Sequence, residues 1–188
     1  PGNFVGLRAF FHAMGRTRTY LVDMRGTSDI DELAARVVGV VEEVAEVNGL
    51  APDERIDVVA HSLGGLVARV ALQDPACSAR VRRLVTLGTP HGGTHTARFA
   101  ATPLTLDLRP GSALLRRLES SAAADVERIV AFWSPADVFV LPAESAALPG
   151  ARTIELPRTT HYGYLMRPRW WRAVLCETLD GVPSHASV

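Results

Sequence analysis

The sequence predicts an α/β architecture: a parallel sheet with helices on both faces. Three observations carry it. Short β-branched runs alternate with segments of helical period along most of the 188 residues, the pattern of repeated strand–helix units. Those runs, such as Ile56-Asp57-Val58-Val59-Ala60 and the segment 81–87, are nearly continuous in apolar residues, as strands buried on both faces are. The chain length fits one domain, since domains usually run about 100–200 residues, so 1–188 is read as a single unit.

The elements follow in order. Leu7 to Met14 reads as a first helix and residues 19–24 as a short strand ended by Arg25-Gly26. Ser28, with Asp31 three residues on, reads as the N-cap of the next helix. From there Ile30, Leu33, Val37, Val41, Val44 and Val47 recur at three- or four-residue steps, an amphipathic helix that Asn48-Gly49 stops. The strand at 56–60 runs into His61-Ser62-Leu63-Gly64-Gly65. A helix through Leu66, Val67, Val70 and Leu72 breaks at Asp74-Pro75. Further strands are expected at 81–87, 129–133 and 152–156, and a closing helix from Arg169 to Leu179. Residues 91–128 interrupt the alternation with Phe99, Leu104, Leu106, Leu108, Leu114 and Leu115 among Pro and Gly. They are read as a partly helical, lid-like insertion over the site. The low-complexity patch Ser120-Ser121-Ala122-Ala123-Ala124 is short, and no internal repeat is evident.

Composition excludes several function classes. Twenty basic residues balance 20 acidic ones, which argues against a nucleic-acid surface. All the basic residues are Arg and none is Lys, so Schiff-base, pyridoxal and P-loop lysine chemistry are ruled out. Cys77 and Cys176 lack a CxxC partner and are expected as free thiols. No apolar run approaches the ~18 residues of a membrane span. No leader peptide is visible at Pro1, a start that says little about compartment.

The informative motif surrounds Ser62. A serine hydroxyl is a weak nucleophile unless a base takes its proton, and it must stand clear of the backbone. A strand-to-helix turn of the form G-x-S-x-G achieves this. Here Ala60 fills the first place and Gly64 the last; Gly64, without a Cβ, is expected to permit the tight approach behind the serine. The helix N-terminus suits a developing oxyanion, and the backbone N–H of Leu63 is one expected donor.

At this point the chain resembles a family. Ala60-His61-Ser62-Leu63-Gly64-Gly65-Leu66-Val67-Ala68-Arg69 is similar to the elbow of bacterial triacylglycerol lipases and their esterase relatives, a branch of the α/β-hydrolases. Leu87-Gly88-Thr89-Pro90-His91-Gly92-Gly93-Thr94 resembles the strand end that follows it. The resemblance runs from Pro1 to about Leu179. It implies a triad in the chain order Ser, acid, His. His161, in the loop after the last strand, matches the catalytic histidine, and Asp137, just past the strand at 129–133, matches the aspartate. Asp107, Asp125 and Glu144 are the alternative acids. Among the other histidines, His61 points elsewhere on the turn, His91 and His95 are expected at the site entrance, and His12 and His185 have no arguable partner. The His91/His95 spacing lacks a third metal ligand, so neither metal nor organic cofactor is expected.

The implied activity is cleavage of carboxylic esters, lipid or acylglycerol esters above all, through an acyl-enzyme. Phe99, Leu104, Leu106 and Phe139 are candidate walls for the acyl chain, with His61 and His91 nearby. The expected partners are a small-molecule or lipid ester and, transiently, a lipid surface, and the family leans toward secreted bacterial enzymes. Acyl transfer or thioester hydrolysis could use the same triad, and a non-catalytic hydrolase-like module is the third reading.

One departure stands out. Relatives carry an earlier strand ending in a His-Gly motif whose loop gives the second oxyanion donor. Pro1-Gly2-Asn3-Phe4-Val5-Gly6 resembles only the far end of that loop, so the other donor is expected upstream of Pro1. Loss of one such donor typically costs about 10²–10³ in kcat. Weak or no activity is therefore expected of these 188 residues alone, and full hydrolase-level turnover would refute that expectation.

Overall fold

The computed structural model describes residues 4–120 and 126–178. The polyalanine end of the low-complexity patch, Asp125, His185 and the first three residues lie outside them. Four strands, β1 (Ile56–His61), β2 (Val81–Leu87), β3 (Ile129–Trp133) and β4 (Arg152–Glu155), form one sheet in the order β1-β2-β3-β4. Every pairing is parallel. The outer edge of β1 pairs with no strand among the described residues.

Side-chain alternation divides the strands between two cores, as a period of two requires. Leu84 of β2 with Ile129 and Ala131 of β3 face one layer, made by α2 (Ile30–Val47), α3 (Leu63–Ala71) and α6 (Ala113–Ser120). Val85 and Leu87 with Val130 and Phe132 face the other, made by α1 (Val5–Ala13), α7 (Gly163–Met166) and α8 (Pro168–Glu177). Two short helices, α4 (Pro75–Arg80) and α5 (Pro103–Asp107), complete the set.

Most elements fall where the sequence places them, and four expectations are corrected. The extended segment 19–24 forms no strand. A strand exists only when a neighbour satisfies its N–H and C=O groups, and no described strand lies alongside; Val22 and Met24 pack against the core instead. The cap of α2 is Asp29, not Ser28: its carboxylate accepts from the N–H groups of Asp31 and Glu32 at 2.8 and 3.1 Å. Ala34 and Ala45 join the buried stripe of α2, whereas Val47 is exposed. The Asp74-Pro75 break also starts a helix, because Asp74 caps the N–H groups of Ala76 and Cys77 while Pro75 occupies the first turn of α4.

The segment 91–128 is not uniform. Leu114, Leu115 and Leu118 of α6 are buried in the first core beside Leu66 and Leu72, so this half is fixed structure. The half holding the 3₁₀ turn His95–Phe99 and α5 is the more exposed, with Phe99 at 92%.

Candidate active site

The register aligns the C-terminal ends of the strands: His61 lies opposite Leu87, Leu87 opposite Phe132, and Trp133 opposite Glu155. The loops leaving these ends therefore meet along one edge, where open parallel sheets bind ligands.

Ser62 sits between β1 and α3 at φ 55°, ψ −131°, a backbone region that a non-glycine residue occupies at a cost of about 1–3 kcal/mol. Three hydrogen bonds hold it there. Its N–H donates to the Leu87 carbonyl at 2.9 Å, and its carbonyl accepts from Gly65 N–H at 3.0 Å and from the Thr89 hydroxyl at 2.9 Å. The last bond identifies the glycine that matters. A Cβ on Gly65 would lie 2.1 Å from the Thr89 Oγ1, whereas one on Gly64 would meet nothing within 4 Å. The close approach behind the serine belongs to Gly65, not to Gly64 as expected, because the contact comes from the loop after β2.

His161 Nε2 lies 2.9 Å from the Ser62 Oγ, and its Nδ1 lies 2.9 and 3.1 Å from the two oxygens of Asp137. An ionised carboxylate only accepts, so Nδ1 carries the hydrogen and Nε2 is left to accept from the serine hydroxyl. Asp137 is 1% exposed and His161 6%, so the pair is shielded from water. Asp137 Oδ1 also accepts from the N–H of Phe139 at 3.0 Å, which turns the loop after β3. Gly88, at φ 55°, makes room for the acid: a Cβ there would lie 2.9 Å from Asp137 Oδ2 and 2.6 Å from the Tyr164 ring. Ser134 ties the same loop to the one after β4, its Oγ accepting from Ala136 and Thr159 N–H.

Leu63 is the first residue of α3, so its N–H has no carbonyl one turn back and is free in principle to face an anion. The expected second donor lies outside the described residues.

Threonine side chains bind the loop after β2 to the loop carrying the acid. The Thr94 hydroxyl donates to the Phe139 carbonyl at 3.0 Å and accepts from Leu141 N–H at 2.8 Å; the Thr96 hydroxyl donates to the same carbonyl at 2.6 Å. This clamp was not foreseen, and the paired threonines flanking His95 are the only sequence sign of it. The Phe139 ring it supports stacks on His161, centroids 5.0 Å apart. Phe139 also meets the Tyr162 ring edge-on, centroids 5.8 Å apart, and Val138, Phe139, Leu141, Tyr162 and Met166, from the loops after β3 and β4 and from α7, are exposed.

The other candidate residues are distributed as follows. His61 donates from Nε2 to the main-chain carbonyl of His161 at 2.8 Å, so it faces the histidine loop. His91 is 4% exposed and does not line the entrance. Its Nδ1 accepts from Arg69 at 3.3 Å, so its Nε2–H donates to the Thr86 hydroxyl at 3.0 Å. Burial first, and the Arg69 charge second, push its pKa down to about 3. Leu104 packs against the first core, and Leu106 and Phe99 are exposed. Glu144 is exposed on a 3₁₀ turn and Asp107 ends α5, neither bonded to a histidine. His12 pairs with Thr19 at 2.6 Å, and His95 is exposed. Cys77 and Cys176 are free thiols. Among the described residues no group of three or more His, Cys, Asp or Glu could hold a metal, and no helix is long and apolar enough to cross a membrane.

The family described as "Domain of unknown function (DUF7379)" matches residues 29–132. No curated protein matches the chain. Solved structures do. The mature lipase BlEst2 of Bacillus licheniformis superposes with a TM-score of 0.65 at 14% identity, covering 83% of this chain and 76% of that one. The lin2722 gene product of Listeria innocua gives 0.59 at 17% identity, covering 86% and 71%. MGS-MChE2, an α/β hydrolase from the metagenome of Mar Chica lagoon sediments in Morocco, gives 0.54 at 19%, covering 94% and 83%. The fold is that of the α/β-hydrolases.

Proposed function

The chain belongs to the DUF7379 family of unknown function, and from the geometry of its site we propose that it is a serine hydrolase cleaving carboxylic esters. The observation that carries this is the continuous relay Ser62–His161–Asp137, with 2.9 Å at each joint. Ser62 stands in a strained turn at the start of a helix, an arrangement a merely structural serine does not need.

The chemistry follows from the donors and acceptors. The Ser62 Oγ attacks the ester carbonyl carbon as His161 Nε2 takes its proton. The carbonyl oxygen gains the electron pair and turns toward the Leu63 N–H. Asp137 stabilises the imidazolium formed. Collapse breaks the carbon–alkoxy bond, and the leaving alkoxide takes the proton from Nε2. Water then attacks the acyl-enzyme, giving a proton to Nε2. The second collapse frees the acid and returns that proton to Ser62. The net reaction converts ester and water to acid and alcohol, with no cofactor in the scheme.

The exposed apolar side chains Val138, Phe139, Leu141, Tyr162 and Met166, carried by the acid and histidine loops and α7, favour substrates with an acyl chain, lipid or acylglycerol esters among them, presented at or near a lipid surface. The similar Bacillus protein is named a lipase, which agrees with that choice.

A fluorophosphonate probe tests the proposal directly. Wild-type protein is expected to gain one adduct, located at Ser62 by peptide mass spectrometry, and Ser62→Ala to gain none. Folded wild-type protein that stays unlabelled refutes the assignment. A series of p-nitrophenyl esters then reads the chain-length preference.

A further inference from the structure

His161 lies in a loop, between β4 and α7, and regular structure does not hold its backbone. Its ring is tied to Asp137 through Nδ1. The Asp137 bond and the Phe139 stacking hold the ring, whereas neither holds the main chain at His161. Contact with Ser62 needs a second anchor, and His61 supplies one. His61 is the last residue of β1 and the neighbour of the nucleophile. Its Nε2–H donates to the main-chain carbonyl of His161 at 2.8 Å.

The two imidazoles lie with centroids 4.7 Å apart and tilted by 49°. Tyr162 and Tyr164 stand 6.1 and 6.2 Å from the His61 ring on its other contacts. We propose that His61 is a positioning residue: its Nε2–H, held by the strand that presents Ser62, fixes the backbone of His161 and so sets the Ser62–His161 contact. This assignment rests on the serine-hydrolase reading.

The charge state of His61 fits the role. Burial first, and the charge of His161 second, push its pKa down to about 4. It therefore stays neutral when His161 becomes cationic during the reaction. A second cation 4.7 Å away would oppose the imidazolium that Asp137 stabilises, so a neutral donor is the species this place requires.

Three variants separate the donor from the ring. His61→Phe keeps an aromatic ring without a donor. His61→Gln replaces the ring but places an N–H at similar reach. His61→Met matches Gln in length and lacks the donor. Since a misplacement of about 1 Å can cost roughly 10²-fold in rate, His61→Phe and His61→Met are expected to lose about 10- to 100-fold in kcat on p-nitrophenyl butyrate. KM and melting temperature should stay near wild type, and His61→Gln should recover most of the rate. Equal loss in Gln and Met, or no loss in Phe and Met, overturns the proposal. Should Phe fail to fold, the Gln–Met pair makes the same comparison.

A second measurement does not depend on turnover. Long-range ¹H–¹⁵N spectra of the His161 ring report its tautomer and exchange. Sharp signals in wild type and Gln but broadened ones in Met support the assignment. Identical signals in all three refute it, even if the protein proves to have no esterase activity. A Gln–Met difference in the spectra, together with folded wild-type protein that does not react with fluorophosphonate, overturns the hydrolase reading alone.

Discussion

Gly64 and Gly65 are adjacent, both in the first turn of α3, and a single methyl group at each should have opposite effects. At Gly65 the added Cβ would come within 2.1, 2.7 and 2.8 Å of the Oγ1, Cγ2 and Cβ of Thr89. Thr89 is fully buried, so it cannot rotate away without moving its loop. The first loss is the Thr89–Ser62 hydrogen bond of 2.9 Å. The Ser62 carbonyl keeps its bond from Gly65 N–H, so losing the Thr89 bond costs about 0.5–1.5 kcal/mol, and overpacking adds about 1–3 kcal/mol. The second loss is kinetic. The Ser62 carbonyl is the outer anchor of the strained turn, and a shift of ~1 Å in the nucleophile costs about 10²-fold. At Gly64 the Cβ meets nothing within 4 Å, and replacing Gly by Ala in a helix gains about 0.4–1 kcal/mol. Gly65→Ala should therefore lower the urea midpoint and slow fluorophosphonate labelling at least tenfold. Gly64→Ala should hold or raise the midpoint and label normally. Adding Thr89→Ala to Gly65→Ala should recover part of the stability, because two of the three close atoms disappear. Wild-type stability and labelling in Gly65→Ala would refute the reasoning, as would equal damage from the two glycines.

Two further outcomes can be checked by equilibrium unfolding. Asp29→Ala should destabilise by about 1 kcal/mol, the usual worth of an N-cap, whereas Ser28→Ala should be nearly silent, since the cap bonds to Asp31 and Glu32 come from Asp29. His91 is held neutral, with its pKa near 3 in the fold against ~6.5 in the unfolded chain. The unfolded state binds the extra proton first, so the contribution is fully present above ~6.5 and is lost as pH falls toward 3. Between pH 7.5 and 5 this amounts to about 2 kcal/mol. Urea midpoints at those two pH values should differ less in His91→Gln than in wild type, and parallel behaviour of the two proteins would contradict the assignment.

The sequence made the candidate site's three central residues legible and their packing only partly so. Ser62, Asp137 and His161 could be singled out because each follows a strand end, a one-dimensional property, and because the family resemblance expects a serine, an acid and a histidine at those ends. The long helix α2 was equally plain, since its period repeats over 18 residues. Its cap was harder, because Ser28 and Asp29 are both capping types and only the backbone angle at Asp29 decides between them. Segment 19–24 has strand composition, but strand formation depends on a neighbour, a property no single segment carries. His91 looks like a loop histidine until Arg69, on α3, is found against its Nδ1. The same applies to Gly65, whose contact is with Thr89 on another loop. The cap apart, each shortfall concerns a partner distant along the chain, where residue type and period give no signal.

That distance bears on how the protein becomes competent. The histidine and the serine are 99 positions apart and the acid and histidine 24. Each of the three belongs to the exit of a different parallel strand. Parallel pairing requires crossovers, so its contacts close large loops and form slowly. No local fragment can hold the relay: it comes into being when the last strand, β4, docks on β3. On the proposed function, reactivity at Ser62 is in this sense a property of the completed sheet. During refolding, the appearance of a labelled serine timestamps the closing step of the topology rather than the formation of any one helix.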